Sequence, residues 1–221
     1  FIGGTTLAAR NVISGNGSSV LNLSSGVSFS GTATTQFDSF TGTINIPVGA
    51  TLRFSANSSG NTYGSLIPLF TINGTLQPRN AGNTVRLGKI SGSGTLTGPQ
   101  SNGGTGNTIY QIGGANVDSV FSGIISSNTA VTNSLVILHK LGTGRLTLSG
   151  ASTYTGGTII SNGAVFVNNN FGSGLGSGTI TVRSGATLGG LGIISSATTL
   201  DSGATLSPGD AIGKLTFNST L

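Results

Sequence analysis

Ser184 to Gly190 reads SGATLGG, and Ser202 to Gly209 reads SGATLSPG. Three earlier stretches carry the same phrase: VGATLRF at Val48 to Phe54, INGTLQP at Ile72 to Pro78 and SGSGTLTG at Ser91 to Gly98. Each copy sets turn-forming residues directly before a short β-prone run, so one turn and one strand are issued again and again. That is the signature of a stacked solenoid. The leucines of the phrase, Leu52, Leu76, Leu96, Leu188 and Leu206, recur at intervals suited to a coil of roughly 20 residues. The stretch from Pro99 to Ala130 breaks this rhythm and is expected to carry a longer excursion.

The composition agrees. Of 221 residues, 39 are glycine and only 6% are charged, against roughly 25% charged in an ordinary soluble domain. Glycines interrupt every window that could be helical, at about 1 kcal/mol each against alanine, and β-branched residues dominate between them. Alternation is plain in Thr43-Ile44-Asn45-Ile46 and Thr179-Ile180-Thr181-Val182, which gives each strand one apolar and one polar side. Candidate strands of four or five residues run from Val20–Leu23 to Lys214–Phe217. The expectation is an all-β, single elongated domain spanning residues 1–221.

Several partner classes fall away on composition. The net charge of +5 is spread from Arg10 to Lys214 with no cluster that would track phosphates, so nucleic acid is not an expected partner. No apolar run approaches the roughly 20 residues of a membrane helix. There is no cysteine, so disulfides and thiolate-bound metals contribute nothing. The chain opens on Phe1 without a basic, apolar leader, which reads as a processed protein or an internal fragment.

The stretch His139 to Val167, HKLGTGRLTLSGASTYTGGTIISNGAVFV, resembles the autotransporter-associated β-strand repeat, also called the passenger-associated transport repeat. Its core LTLSGASTYTGGT is similar to the family's LTLSGxNTYTGGT phrase, with Ser152 and Thr153 at the variable centre. The later ATLGGLGII and SGATLSPGDAIGKLTF resemble the family's continuing coil and closing phrase, so residues 139–221 are covered. The resemblance implies a right-handed parallel β-helix that is exported across a bacterial envelope and displayed outside the cell or on its surface.

Chemistry is sparsely supplied. The acidic residues are Asp38, Asp118, Asp201 and Asp210, with no glutamate, whereas glycoside hydrolysis needs two carboxylates across the scissile bond. Asp201, Asp210 and Lys214 could be gathered near the closing phrase, but Asp in such turns commonly bonds its own backbone. His139 is the single histidine, and no nucleophile elbow accompanies it. The glycine strings precede no helix and lack the aspartates of calcium-binding rolls, so no cofactor or metal is expected. Threonine pairs such as Thr95 and Thr97 are too irregularly spaced for an ice-binding face.

These readings converge on a protein that is not an enzyme: an extracellular subunit of a cell-surface fibre, sheath or stalk, built by end-to-end stacking of identical chains. An open solenoid coil exposes unpaired backbone and apolar core. Residues 1–14 are expected to pair with a neighbouring subunit by strand addition, with Phe1, Ile2, Leu7, Val12, Ile13, Leu215, Phe217 and Leu221 as the assembly residues. The alternative is an adhesin passenger that binds glycans or host surfaces, with Tyr63, Tyr110 or Tyr154 stacking on sugar rings. A polysaccharide-active enzyme is the third reading.

Overall fold

The computed structural model describes residues 6–7, 13–24, 27–29, 37–55, 59–101, 103–131, 134–209 and 213–221. They contain strands and turns and no helix, and the strands stack in parallel as a β-solenoid of about 8 turns. Among the described residues every strand pairing is parallel, from Thr6–Leu7 against Val27–Phe29 to Ile193–Ile194 against Thr216–Phe217. Facing antiparallel sheets, the other fold open to short alternating strands, are thereby excluded.

Following the register partners resolves the column into three faces. Face one runs through 62–65, 84–87, Thr108–Ile112, Val136–Lys140, Thr158–Ile160, Ile180–Val182 and Thr198–Leu200. Face two begins with Val20–Asn22, Thr43–Ile46, 69–72 and 89–91. A single bridge between Gly92 and Phe121 then carries it into Ser119–Phe121, Arg145–Leu148, Ala164–Val167, Thr187–Gly190 and Thr205–Pro208. Face three holds Thr6–Leu7, Val27–Phe29, Thr51–Phe54, Thr75–Pro78, Thr95–Thr97 and Ile124–Ser126.

The long strands Thr62–Ile72 and Thr84–Ser91 turn the corner between faces one and two without breaking, at a register shift between Ser65 and Leu69. Gly64, at φ 68°, lies beside this corner with its Cα so close to the Arg86 carbonyl oxygen that a Cβ would sit 2.2 Å from it. The TYGS sequence there looks like a turn, yet 62–65 belong to the strand.

The recurring leucines belong to two ladders. Leu52, Leu76 and Leu96 are register partners on face three, whereas Leu188 and Leu206 pair on face two below Leu146 and Val165. The Gly-Thr-Leu phrase marks entry into a strand after a turn, and both corners use it. The expected longer excursion over 99–130 is present as the longest coil spacing, and it is taken up without leaving the column. Thr108–Ile112, Ser119–Phe121 and Ile124–Ser126 all lie in the ladders, and the extra residues run against the preceding coil, where Gln100 and Ser101 N–H donate to the Pro78 and Arg79 carbonyls. Coil length therefore varies, from 18 residues between the register partners Ile180 and Thr198 to 29 between Gly92 and Phe121.

Inward residues of successive coils form one continuous apolar core. Tyr63 stacks on Phe54 across the interior with ring centroids 5.3 Å apart. Tyr110 reaches from face one to face three and donates its hydroxyl to the Leu76 and Thr97 carbonyls at 3.2 and 2.6 Å. All three tyrosines are buried, at 1%, 0% and 0% exposure for Tyr63, Tyr110 and Tyr154, so none is a sugar-stacking platform. The hydroxyls of Tyr110 and Tyr154 find partners inside the column, and the large apolar ring decides where the side chain goes.

Glycines in four successive coils set the turn toward face three. A Cβ on Gly74 would lie 2.2 Å from the Ala50 oxygen, on Gly94 2.1 Å from Gly74, on Gly123 2.0 Å from Gly94 and on Gly150 2.0 Å from Gly123. Each side chain would strike the backbone of the coil before it, so the stack closes only with hydrogen at these positions. Gly123→Ala is expected to lower folding stability by about 1–3 kcal/mol in chemical denaturation. Gly49, whose Cβ would meet nothing within 4 Å, has φ 78° and should lose less on the same change.

Candidate functional site: the last coil and a polar corner

The coil from Thr198 to Leu221 ends each ladder it joins. Among the described residues, Thr198–Leu200, Thr205–Pro208 and Thr216–Phe217 each pair with a strand on one side only. Leu200, Leu206, Leu215 and Phe217 pack against the core from this coil and stay half-buried, while Leu221 is 61% exposed. Ala197 to Leu200 with Thr220 and Leu221 line a cleft of about 500 Å³, and Thr198 N–H donates to the Thr220 carbonyl at 2.9 Å. The arrangement presents backbone edges beside apolar side chains, which is chemically a seat for another β-strand.

Of the expected assembly residues, Leu215, Phe217 and Leu221 thus lie together on this coil. Phe1, Ile2 and Val12 lie outside the described residues. Leu7 belongs to the two-residue strand Thr6–Leu7, paired in register with Ser28 and Phe29 of the same chain, and Ile13 is half-buried against the core.

A second cluster sits where face one turns toward face two. His139 points outward and its Nε2 lies 2.7 Å from Ser161 Oγ in the next coil. Burial holds its pKa below the usual imidazole range, and the Arg183 guanidinium adds to that. Arg183 donates through Nη1 to Asp201 at 3.1 Å. Asp201 is therefore committed to an ion pair rather than to a second carboxylate, and Asp210 lies outside the described residues.

Lys140 is the residue that inspection of the sequence passes over. It occupies the inward ladder of Leu87, Ile112, Ile160, Val182 and Leu200 and is 1% exposed. The alternation in Val136-Ile137-Leu138-His139-Lys140 is the signal that places it inside. Its ammonium turns into the corner and donates to the carbonyls of Leu141 at 2.6 Å, Gly142 at 2.8 Å and Asn162 at 3.2 Å. Desolvation lowers its pKa to about 8, opposed by the nearby Asp118 carboxylate.

Residues 138–165 match the family model of the passenger-associated-transport-repeat. Over this stretch the chain is similar to that repeat. The repeat covers a little more than one coil, since Leu138 pairs with Thr158 and Arg145 with Ala164 inside it. Its TYTGG segment replaces the face-three strand. Tyr154 plugs the interior there and bonds Thr158 through its hydroxyl, while Ser152 Oγ accepts the Ile125 N–H at 3.2 Å. No curated protein and no solved structure matches the chain. No helix among the described residues is long and apolar enough to cross a membrane.

The buried lysine has a measurable pH signature. Below about pH 8 it is charged both folded and unfolded, and the cost of burying that charge is fully present. Between its folded value and the ordinary 10.5, the unfolded chain binds the extra proton, so stability rises with pH. Tyr110 and Tyr154, pushed up by burial, act oppositely once the unfolded tyrosines ionise near 10. Thermal melts should therefore show rising stability from pH 8 to 9.5, and Lys140→Met should remove that rise.

Proposed function

We propose that this chain is a non-enzymatic structural passenger, exported and displayed on a bacterial surface, whose column is lengthened when a coil of an identical chain stacks on the Thr198–Leu221 coil. The observation that carries the reading is the combination on that coil of one-sided strands with the half-buried Leu200, Leu206, Leu215 and Phe217. The passenger-associated transport repeat supports the secreted or surface setting. Low charge supports self-association, because edge lysines and like-charge repulsion are the usual safeguards against strand pairing. A head-to-tail contact of this kind does not close on itself, so it produces fibres. Within the column, Asp118 bonds the Arg145 N–H, and Asp201 pairs with Arg183. Both carboxylates thereby serve the stacking of coils, in keeping with a mechanical role.

Sedimentation and electron microscopy of the purified chain test this directly. The unsubstituted chain is expected to form linear assemblies that grow with concentration. The double variant Leu200→Lys with Leu206→Lys should remain monomeric while keeping its β-sheet circular dichroism. A chain that stays monomeric at every concentration would refute end-to-end stacking.

A further inference from the structure

The corner that cages Lys140 also holds an asparagine in an unusual arrangement. Gly163 N–H donates to the Oδ1 of its own predecessor Asn162 at 2.7 Å, and the backbone bonds between coils do not use that N–H. The Lys140 ammonium donates at 3.2 Å to the main-chain oxygen of Asn162, which belongs to the same peptide group as the Gly163 nitrogen. Gly163 adopts φ 63°, and Asn162 itself is exposed.

We propose that Asn162–Gly163 is a self-modification site, at which the Gly163 nitrogen closes onto the Asn162 side-chain amide with the Lys140 ammonium stabilising the attacking peptide anion. Hydroxide removes the Gly163 N–H proton. The resulting charge is shared between nitrogen and the Asn162 main-chain oxygen, where the ammonium sits. The nitrogen forms a bond to Asn162 Cγ, the Cγ–Nδ2 bond breaks, and the leaving nitrogen takes a proton from water to depart as ammonia. Water then opens the succinimide at either carbonyl and leaves aspartate or isoaspartate at position 162. Lys140 touches the reacting peptide only through its oxygen and acts as a positioning charge.

Two other Asn-Gly pairs among the described residues lack this arrangement. Asn73 Oδ1 accepts from Ser93 N–H at 3.1 Å, and Gly74 N–H is bound to the Ile46 carbonyl at 3.0 Å. Asn16 Oδ1 accepts from Ser18 N–H at 3.1 Å. Folding thus ties down the electrophile at both and the nucleophile at Gly74, while at Asn162 it brings the two together. The isoaspartate product would add a backbone atom at a corner where a Cβ on Gly142 would already lie 2.0 Å from the Gly113 oxygen, so modification loosens this coil.

The test is peptide mapping of the whole chain after incubation in one neutral buffer, folded and in urea, with isoaspartate detected enzymatically. Asn162 is expected to convert several-fold faster in the folded protein than in the denatured chain, and Asn73 several-fold slower. Faster conversion of Asn162 after denaturation, or folded conversion no faster than at Asn73, would overturn the proposal. In folded Lys140→Met the Asn162 rate should fall several-fold, with Lys140→Arg restoring it and Asn16 unchanged. An unaltered Asn162 rate in that variant would overturn the role of the ammonium.

Discussion

Everything in this column depends on each coil lying in register on the one before it. The parallel ladders satisfy backbone groups that a chain so poor in charge and so rich in glycine could not otherwise protect. They also fix which residues face inward, because a slip of one residue would turn every apolar side chain outward. The ladders of Tyr63, Val85, Tyr110 and Leu138, or of Leu146, Val165, Leu188 and Leu206, are therefore consequences of the stacking and its stabilising reward together. Glycine takes part by what it omits: at Gly94, Gly123 and Gly150 the backbone of one coil occupies the space of the next coil's missing side chain.

The same constraint explains the functional features. The proposed stacking on the Thr198–Leu221 coil would use the same kind of strand edge and apolar side chain by which each earlier coil holds its successor. The polar corner is likewise a product of stacking, since the carbonyls that hold Lys140 come from two successive coils. Its ammonium cross-links turns in a position where the ladder above and below carries Ile112 and Ile160. A cation there costs desolvation, and the three carbonyls and Asp118 offset part of it.

Much of this was readable from residue order, because the solenoid signal is local. Strands such as Thr43–Ile46, Arg145–Leu148 and Ala164–Val167 announce themselves through alternation and flanking turns, and the structure places them at those residues. The face to which a strand belongs is not local. Leu96 and Leu188 share a phrase but lie on different ladders, and only the pairing partners reveal it. Strand identity also fails where turn-like residues bend a strand without ending it, as at Gly64 and Ser65. Tyrosine and lysine mislead for a related reason: each has an apolar body, and Tyr110 and Lys140 bury it by carrying their polar tips to carbonyls that sequence spacing does not disclose. Of the residues proposed for assembly, Phe217 falls in the strand Thr216–Phe217 with Leu215 just before it, whereas Phe1, Ile2 and Val12 lie outside the described residues.

Paired cysteines measure coil register most directly, since the chain contains none of its own. Thr71 and Ser91 are register partners on the outside of face two, with their hydroxyl oxygens 3.3 Å apart, and partner Cα atoms in a ladder lie about 4.8 Å apart, within disulfide range. Thr71→Cys with Ser91→Cys is expected to oxidise fully in the folded protein, while Thr71→Cys with Ile90→Cys, whose side chain faces the core, stays reduced. Failure of the first pair to close, or equal closure of both, would contradict the stacked parallel column.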